Sequence, residues 1–150
     1  MGRTTLDFQG NGPPAYREHK DRDRRVQSAV SAIQAILPVA LYPAHKRELL
    51  SVCIWKITEA DGKFNTRYWS VGAISNPAEK RQHEHVHERK ELIGRLLAGE
   101  DVLSVMTDAV GCIVTAQEHA ALGRSSRSGW DRYKEAGIRV FDAKAREWCW

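Results

Sequence analysis

The stretch GCIVTAQEH (residues 111–119) combines a strand signal with a helix signal. Residues 112–114 are a compact apolar run, which is typical of a short buried strand. Thr115 and Glu118 are spaced as in a capping box, where the two side chains satisfy backbone N–H groups at the start of a helix. We therefore expect a helix to begin directly after Thr115, with His119 in its first turns and close to the buried strand.

Helical periodicity flanks this stretch on both sides, with prolines or glycines between the periodic segments. The expected helices cover about 24–37, 43–57, 92–98, 102–110, 116–122 and 130–136. The expected strands lie at 82–87, 111–114 and 138–141, and the aromatic stretch 63–70 is either a further strand or an ordered loop. This order predicts an α+β fold that is mainly helical, with a small sheet and a ββα-like element at about 82–122.

The N-terminal residues differ from the rest of the chain. Residues 1–20 show no periodicity and contain a cluster of glycine and proline at 10–14, so we expect a flexible N-terminal arm. Residues 21–150 contain all the periodic segments and are expected to form a single globular domain.

The composition is typical of a folded globular protein, with 42% hydrophobic and 28% charged residues. No apolar run approaches the roughly 20 residues of a membrane span, and the N-terminus lacks the pattern of a secretory signal. Cys53, Cys112 and Cys149 are far apart and odd in number, which argues against a disulfide framework and a Cys-x-x-Cys zinc site. These features predict a cytoplasmic protein that does not bind a membrane.

The stretch QHEHVHE (residues 82–88) contains three of the six histidines of the chain. Imidazole titrates near pH 6.5, so it can act as a base or as a neutral metal ligand at neutral pH. In a strand, His83, His85 and His87 would share one face, and the two glutamates would share the other. The alternative is a solvated polar segment that leads into the next helix.

Glu84-His85-Val86, followed by a buried strand and a capped helix that carries His119, resembles the His-Me finger or HNH nuclease family. In that family an acidic residue and a histidine end the first strand of a compact ββα-metal element, and the helix supplies a further histidine. The resemblance covers residues 83–122. Residues 88–114 lack the asparagine that is usual in the family's connection, so the alternative is a nuclease-derived DNA-binding protein.

The resemblance implies a metal-dependent endonuclease that hydrolyses phosphodiester bonds, of a kind found in bacterial and phage contexts. His85 would be the general base that deprotonates water. Glu84 and His119 would hold a divalent cation, Mg²⁺ or Mn²⁺ with Zn²⁺ as the alternative, and His83 is a further ligand candidate. The partner would be nucleic acid, DNA rather than RNA.

The charge distribution supports a polyanionic partner, because the net charge is +4 and the cations are clustered. The stretch 63–69 also mixes aromatic rings with cations, a combination that stacks on unpaired bases and contacts phosphates. The candidate nucleic-acid-binding residues are Arg67, Trp69, Arg81, Arg89, Lys90, Arg124 and Arg127.

Two other functions compete with the nuclease hypothesis. One is a non-catalytic small basic regulator or inhibitor, which would bind a protein or nucleic-acid partner through an aromatic and basic surface. The other is a structural protein that binds zinc. A protein partner or a homo-oligomer is compatible with these alternatives.

Overall fold

The computed structural model describes residues 14–150, and within this range the chain forms seven helices and five strands. The helices are α1 (Arg22–Ile36), α2 (Pro43–Thr58), α3 (Val71–Ser75), α4 (Arg89–Leu97), α5 (Val102–Thr107), α6 (Ala116–Leu122) and α7 (Trp130–Glu135). The strands are β1 (Tyr68–Ser70), β2 (Arg81–His85), β3 (Gly111–Thr115), β4 (Val140–Asp142) and β5 (Glu147–Trp148). The predicted α+β class is confirmed.

The five strands form one mixed sheet in the order β2-β3-β1-β4-β5. β1 and β3 are parallel, and the other neighbouring pairs are antiparallel. In the β2–β3 pair, Glu84 lies opposite Cys112 and His85 lies opposite Gly111. β2 has a strand partner on one side only, so its other side is an edge of the sheet. Side chains from both faces of the sheet are accessible along this edge.

A ββα-like element is present where the sequence predicts it. β2 and β3 pair antiparallel, α4 and α5 connect them, and α6 follows β3 directly. The Thr115 hydroxyl accepts a hydrogen bond from the Glu118 N–H at 3.1 Å, and the Glu118 carboxylate accepts one from the Thr115 N–H at 2.9 Å. This capping box begins α6 at the expected residue and positions His119 in its first turns.

Buried apolar residues form one helical core and two smaller cores on the faces of the sheet. The helical core joins α1, α2, α4 and α5. Cys112 and Val114 pack with α6 and α7 on one face of the sheet, and Ile113 packs with Trp69 and Phe141 on the other. By the alternation of side chains along a strand, consecutive residues of β2 face these two different environments.

The aromatic stretch 63–70 divides into a loop and the strand β1, which lies between β3 and β4. Trp69 is buried, and its indole N–H donates to the carbonyl oxygen of Thr66 at 3.0 Å. β4 lies at 140–142, close to the expected strand. The very short α3 and β5 have no counterpart in the sequence prediction, because so few residues show no periodicity.

The predicted flexible N-terminal arm covers residues 1–20, of which residues 1–13 lie outside the described residues. The hydroxyl of Tyr16 donates to the carboxylate of Asp61 at 2.6 Å, and the His19 N–H donates to it at 2.9 Å. Arg22 is ion-paired with the same carboxylate. Since Asp61 is buried just after α2, these bonds fasten the segment to the domain.

The tryptophans at the C-terminus pack against the rest of the chain. The ring centroid of Trp148 lies 5.3 Å from that of Phe141, and the centroid of Trp150 lies 5.5 Å from that of Trp130. Cys53, Cys112 and Cys149 are free. Among residues 14–150, no helix combines the length and the hydropathy that a membrane span requires.

Candidate functional site

The free edge of β2 forms one wall of an open cleft with a volume of about 630 Å³. We call this depression the edge cleft. It receives side chains from both faces of β2, from α2, from the start of α4 and from α6, because all of these elements border the edge. The lining residues are Trp55, Lys63, Phe64, Lys80, Arg81, Gln82, His83, Glu84, His85, Glu88, Arg89, Lys90 and His119.

His83 is a buried ring that is bound to the backbone. Its Nδ1–H donates to the carbonyl oxygen of Lys63 at 2.8 Å, so Nε2 is the unprotonated nitrogen of the neutral ring. Burial lowers the pKa of His83, and the hydrogen bond to Lys63 opposes this only in part. Nε2 is buried without a hydrogen-bond partner and lies against Gly111, where an added Cβ would be 2.5 Å away.

His85 lies on the same face of β2 as His83. Its Nε2 is 3.0 Å from the hydroxyl oxygen of Thr58, and its ring meets that of Trp55 edge-on with centroids 4.4 Å apart. The Thr58 hydroxyl donates to the carbonyl oxygen of Trp55 at 3.1 Å, so it can only accept from His85 Nε2–H. Nδ1 of His85 is then the nitrogen that is free to accept a proton.

The environment of His85 strongly favours its neutral form. Burial is the main cause, followed by His83 and by the positive charges of Arg89 and Arg132, and together they lower the pKa of His85 to about 3. At neutral pH the ring is therefore an uncharged imidazole in the free protein.

Glu84 and His119 are brought into direct contact on the opposite face of β2. Oε2 of Glu84 binds Nδ1 of His119, although the two residues are 35 positions apart. The carboxylate is buried, whereas the His119 side chain is 51% exposed at the mouth of the edge cleft. The structure thus joins two of the three candidate metal ligands, and His83 lies on the other face.

Arg132, on α7, is a site residue that the sequence analysis did not identify. Its side chain is 1% exposed and donates from one terminal nitrogen to the carbonyl oxygens of His85 at 2.6 Å and Val86 at 2.8 Å. The same nitrogen lies 3.3 Å from Oε1 of Glu84. Arg132 therefore fixes both the backbone at the end of β2 and the carboxylate of Glu84.

Five cations line the edge cleft. Arg81, Arg89 and Lys90 are among the predicted nucleic-acid-binding residues, and Lys63 and Lys80 were not. Lys63 lies in the loop after α2 and Lys80 directly precedes β2, so their proximity depends on how two loops approach the same strand. The result is a basic rim around a site that contains histidine and glutamate.

Other candidate residues lie elsewhere. Trp69 is buried in the sheet core, which leaves little of its ring accessible to a base. Arg67 forms a two-point ion pair with Asp142, at 2.8 and 2.5 Å, and that pairing lowers the pKa of Asp142. Arg124 and Arg127 are exposed after α6, outside the residues that line the cleft.

His87 does not share the strand face of His83 and His85, because β2 ends at His85. Its Nδ1 lies 3.3 Å from a carboxylate oxygen of Glu91, and its ring packs against Gly129 at the start of α7. Within residues 14–150, no group of three or more histidine, cysteine, aspartate or glutamate side chains is arranged to hold a metal ion.

Comparison of the chain with protein-family models, with curated proteins and with solved structures found no match.

Proposed function

We propose that the protein binds nucleic acid in the edge cleft and hydrolyses its phosphodiester bonds with the help of a divalent cation. One observation carries the proposal: Glu84, His85 and His119 open into the same cleft, and that cleft is rimmed by lysine and arginine side chains. Cations position a phosphate backbone, and acid–base groups beside it can act on the bonds they hold.

The rim supplies the attraction for the polyanion. Among the described residues, Lys63, Lys80, Arg81 and Arg89 have no carboxylate within 4.0 Å, whereas Lys90 is 3.2 Å from Glu88. Unpaired cations release counterions when they bind phosphates, which makes binding strongly dependent on salt. Four such cations around one cleft favour a nucleic-acid ligand, and we propose DNA.

Glu84 and His119 would supply two ligands, which is too few for a closed structural zinc site with four protein ligands. The rest of the coordination of a divalent cation would come from water and from substrate phosphate. When bound, such a cation polarises the phosphate and stabilises the leaving oxygen. Arg132 holds the other oxygen of Glu84 and thereby orients the carboxylate.

His85 is the proposed acceptor of the proton from the attacking water. With Nε2–H directed to Thr58, the lone pair on Nδ1 is available. A pKa of about 3 makes the ring a weak base in the free protein, but phosphate charges bound nearby oppose Arg89 and raise that pKa. We therefore propose that substrate binding prepares His85 for proton transfer.

A non-catalytic nucleic-acid-binding protein is the second candidate. The observation that favours it is the contact between Arg132 and Glu84, because a buried guanidinium already satisfies the carboxylate that would hold the cation. The basic rim serves this function without any chemistry. For either function we propose a cytoplasmic location, which suits a chain with three free cysteines.

A nicking assay tests the proposal. Supercoiled plasmid and a circular single-stranded DNA are incubated with Mg²⁺ or Mn²⁺, and with excess EDTA as the reference. We expect cleavage with the metal ions and a loss of at least about 100-fold in His85→Ala, the usual contribution of a general base. His45→Ala is the matched control, because His45 is an exposed histidine outside the cleft.

Two results would contradict the proposal. If the wild-type protein leaves both DNAs intact with either ion, hydrolysis is rejected for DNA. If His85→Ala cleaves as fast as His45→Ala, another group accepts the proton. Binding that persists without cleavage would support the second candidate.

A further inference from the structure

The inner wall of the edge cleft is made of flat rings. The ring of Trp55 contacts those of His83 and His85, with centroids 5.1 and 4.4 Å away, and the centroids of the two imidazoles are 5.4 Å apart. The cations stand around these rings, so the cleft has an aromatic interior and a basic rim.

Phe64 is an exposed aromatic ring at the edge cleft. It is 49% exposed, lies in the loop after α2 and belongs to none of the three hydrophobic cores of the described chain. The ammonium group of Lys63 lies 5.4 Å from its ring centroid. An exposed phenylalanine with an adjacent cation is the arrangement with which proteins hold a nucleobase and its phosphate.

Arg89 adds a second flat group at the cleft. Its guanidinium carbon lies 4.9 Å from the ring centroid of Trp55, and its terminal nitrogen donates to the hydroxyl of Ser51 at 2.8 Å. The hydrogen bond keeps the guanidinium over the indole. A guanidinium plane held in this way can stack on a base or contact a phosphate.

The exposed ring and the stacked guanidinium of the edge cleft can contact the face of a base only when that base is unpaired. In a duplex the faces of the bases are stacked on each other, and only phosphates and base edges reach a protein. Rings in a concave site contribute to binding when a base is unpaired and can enter. The volume of about 630 Å³ lies within the roughly 300–1,000 Å³ of small-molecule sites, which suits a short piece of one strand.

We propose that the edge cleft binds single-stranded nucleic acid, with an unpaired base against Phe64 and the adjacent phosphates on Lys63, Lys80 and Arg89. This inference rests on the proposed nucleic-acid-binding function and specifies its substrate class. It is independent of whether the protein cleaves the strand.

Fluorescence anisotropy tests the inference with a labelled oligonucleotide of about 12 nucleotides, free and annealed to its complement. The full chain is used, with EDTA present so that any metal-dependent cleavage is blocked. We expect the single strand to bind at least tenfold more tightly than the duplex, and its affinity to fall steeply between about 50 and 200 mM salt.

Substitutions at Phe64 identify the stacking group. Phe64→Leu keeps an apolar side chain but removes the aromatic face, and we expect a loss of single-strand affinity of about five- to 150-fold, since one base–aromatic stack contributes roughly 1–3 kcal/mol. Phe64→Tyr should retain near wild-type affinity. Tyr42→Leu is the matched control, because Tyr42 is 69% exposed and lies outside the cleft.

Equal affinity for the two forms of the oligonucleotide, or an unchanged affinity in Phe64→Leu, would overturn the inference. If single-strand binding depends on Phe64 but no DNA is cleaved with Mg²⁺ or Mn²⁺, the inference stands and the hydrolysis proposal fails. If neither form binds even at low salt, both are rejected.

Discussion

The two faces of β2 differ sharply, although the residues that form them alternate along one short strand. On the face toward α2, which we call the neutral face, His83 and His85 are neutral, buried and fixed by neutral hydrogen-bonding groups. On the face toward α6 and α7, which we call the charged face, Glu84 contacts Arg132 and His119. Adjacent residues of β2 therefore have different electrostatic surroundings. Because one edge of β2 has no strand partner, side chains from both faces can line one cleft.

Removal of the Arg132 side chain should remove the buried contacts of the charged face and cause the largest decrease in the free energy of unfolding. Arg132→Met leaves the carboxylate of Glu84 and the carbonyl oxygens of His85 and Val86 without their buried donor. Loss of one partner from a buried ion pair costs about 3–5 kcal/mol of unfolding free energy. Urea denaturation monitored by tryptophan fluorescence measures the change.

Arg127→Met is the control for Arg132→Met, since Arg127 is exposed and should change the unfolding free energy by less than about 0.5 kcal/mol. A second substitution, Glu84→Gln, should recover part of the loss in the Arg132→Met background because no buried charge remains. If Arg132→Met is as stable as Arg127→Met, the charged face does not depend on this guanidinium.

The buried neutral histidines of the neutral face should make the free energy of unfolding decrease at acidic pH. The pKa of His85 is about 3 in the folded protein, and its ordinary value of 6.5 applies to the unfolded chain. Between these values the unfolded chain binds a proton that the folded protein does not bind. The free energy of unfolding is therefore at its full value above pH 6.5 and falls as the pH decreases toward 3, by up to about 1.4 kcal/mol per pH unit for this group.

Urea denaturation at a series of pH values measures this dependence. His85→Gln should reduce the slope below pH 6.5, whereas His45→Gln should leave it unchanged, because His45 is exposed. His83, whose pKa is also lowered, contributes with the same sign and keeps some slope in His85→Gln. Equal slopes in the two variants would show that His85 is not buried in its neutral form.

The sequence predicted the parts of the site that have local signals. The capping box at Thr115 located α6, and the apolar run located β3. Glu84 and His119, which the resemblance assigns to one metal site, are in contact. The contributions from distant segments were missed. Arg132 is 48 residues from Glu84 in sequence, and no local pattern indicates that its charge is buried there.

The same limit applies to the aromatic residues of the stretch 63–70. The stretch 63–70 reads as a uniform mixture of rings and cations, but Phe64 is exposed in a loop and Trp69 is buried in β1. A strand of three residues has too little alternation to reveal which ring faces a core. Only the pairing of β1 with β3 and β4 separates the two roles.

Gly111, which lies opposite His85 in the sheet, should be required for stability because a side chain at this position would clash with the ring of His83. In Gly111→Ala the added Cβ would lie 2.5 Å from Nε2 of His83, whose ring is held by Lys63. Because the ring and the strand are both fixed, we expect a destabilisation of about 1–3 kcal/mol in urea denaturation. Gly94→Ala is the control. No atom lies within 4 Å of its added Cβ, and a helical alanine should stabilise by up to about 1 kcal/mol.

A double substitution tests the stated cause of the Gly111→Ala effect. If the imidazole of His83 is the obstacle, His83→Ala should cost less in the Gly111→Ala background than in the wild-type protein. Additive effects of the two substitutions would place the strain elsewhere in β3.

His119→Ala should have the smallest effect on stability, although it alters the same charged face as Arg132→Met. The His119 side chain is 51% exposed, and Glu84 keeps its contact with Arg132 when the imidazole is removed. A polar contact that is half open to solvent contributes less than about 1 kcal/mol, so the urea midpoint should scarcely move. If the proposed function is correct, Mn²⁺ binding measured by calorimetry should nevertheless be lost. A large loss of stability in His119→Ala would mean that the pair with Glu84 holds the fold together, and unchanged Mn²⁺ binding would remove His119 from the proposed metal site.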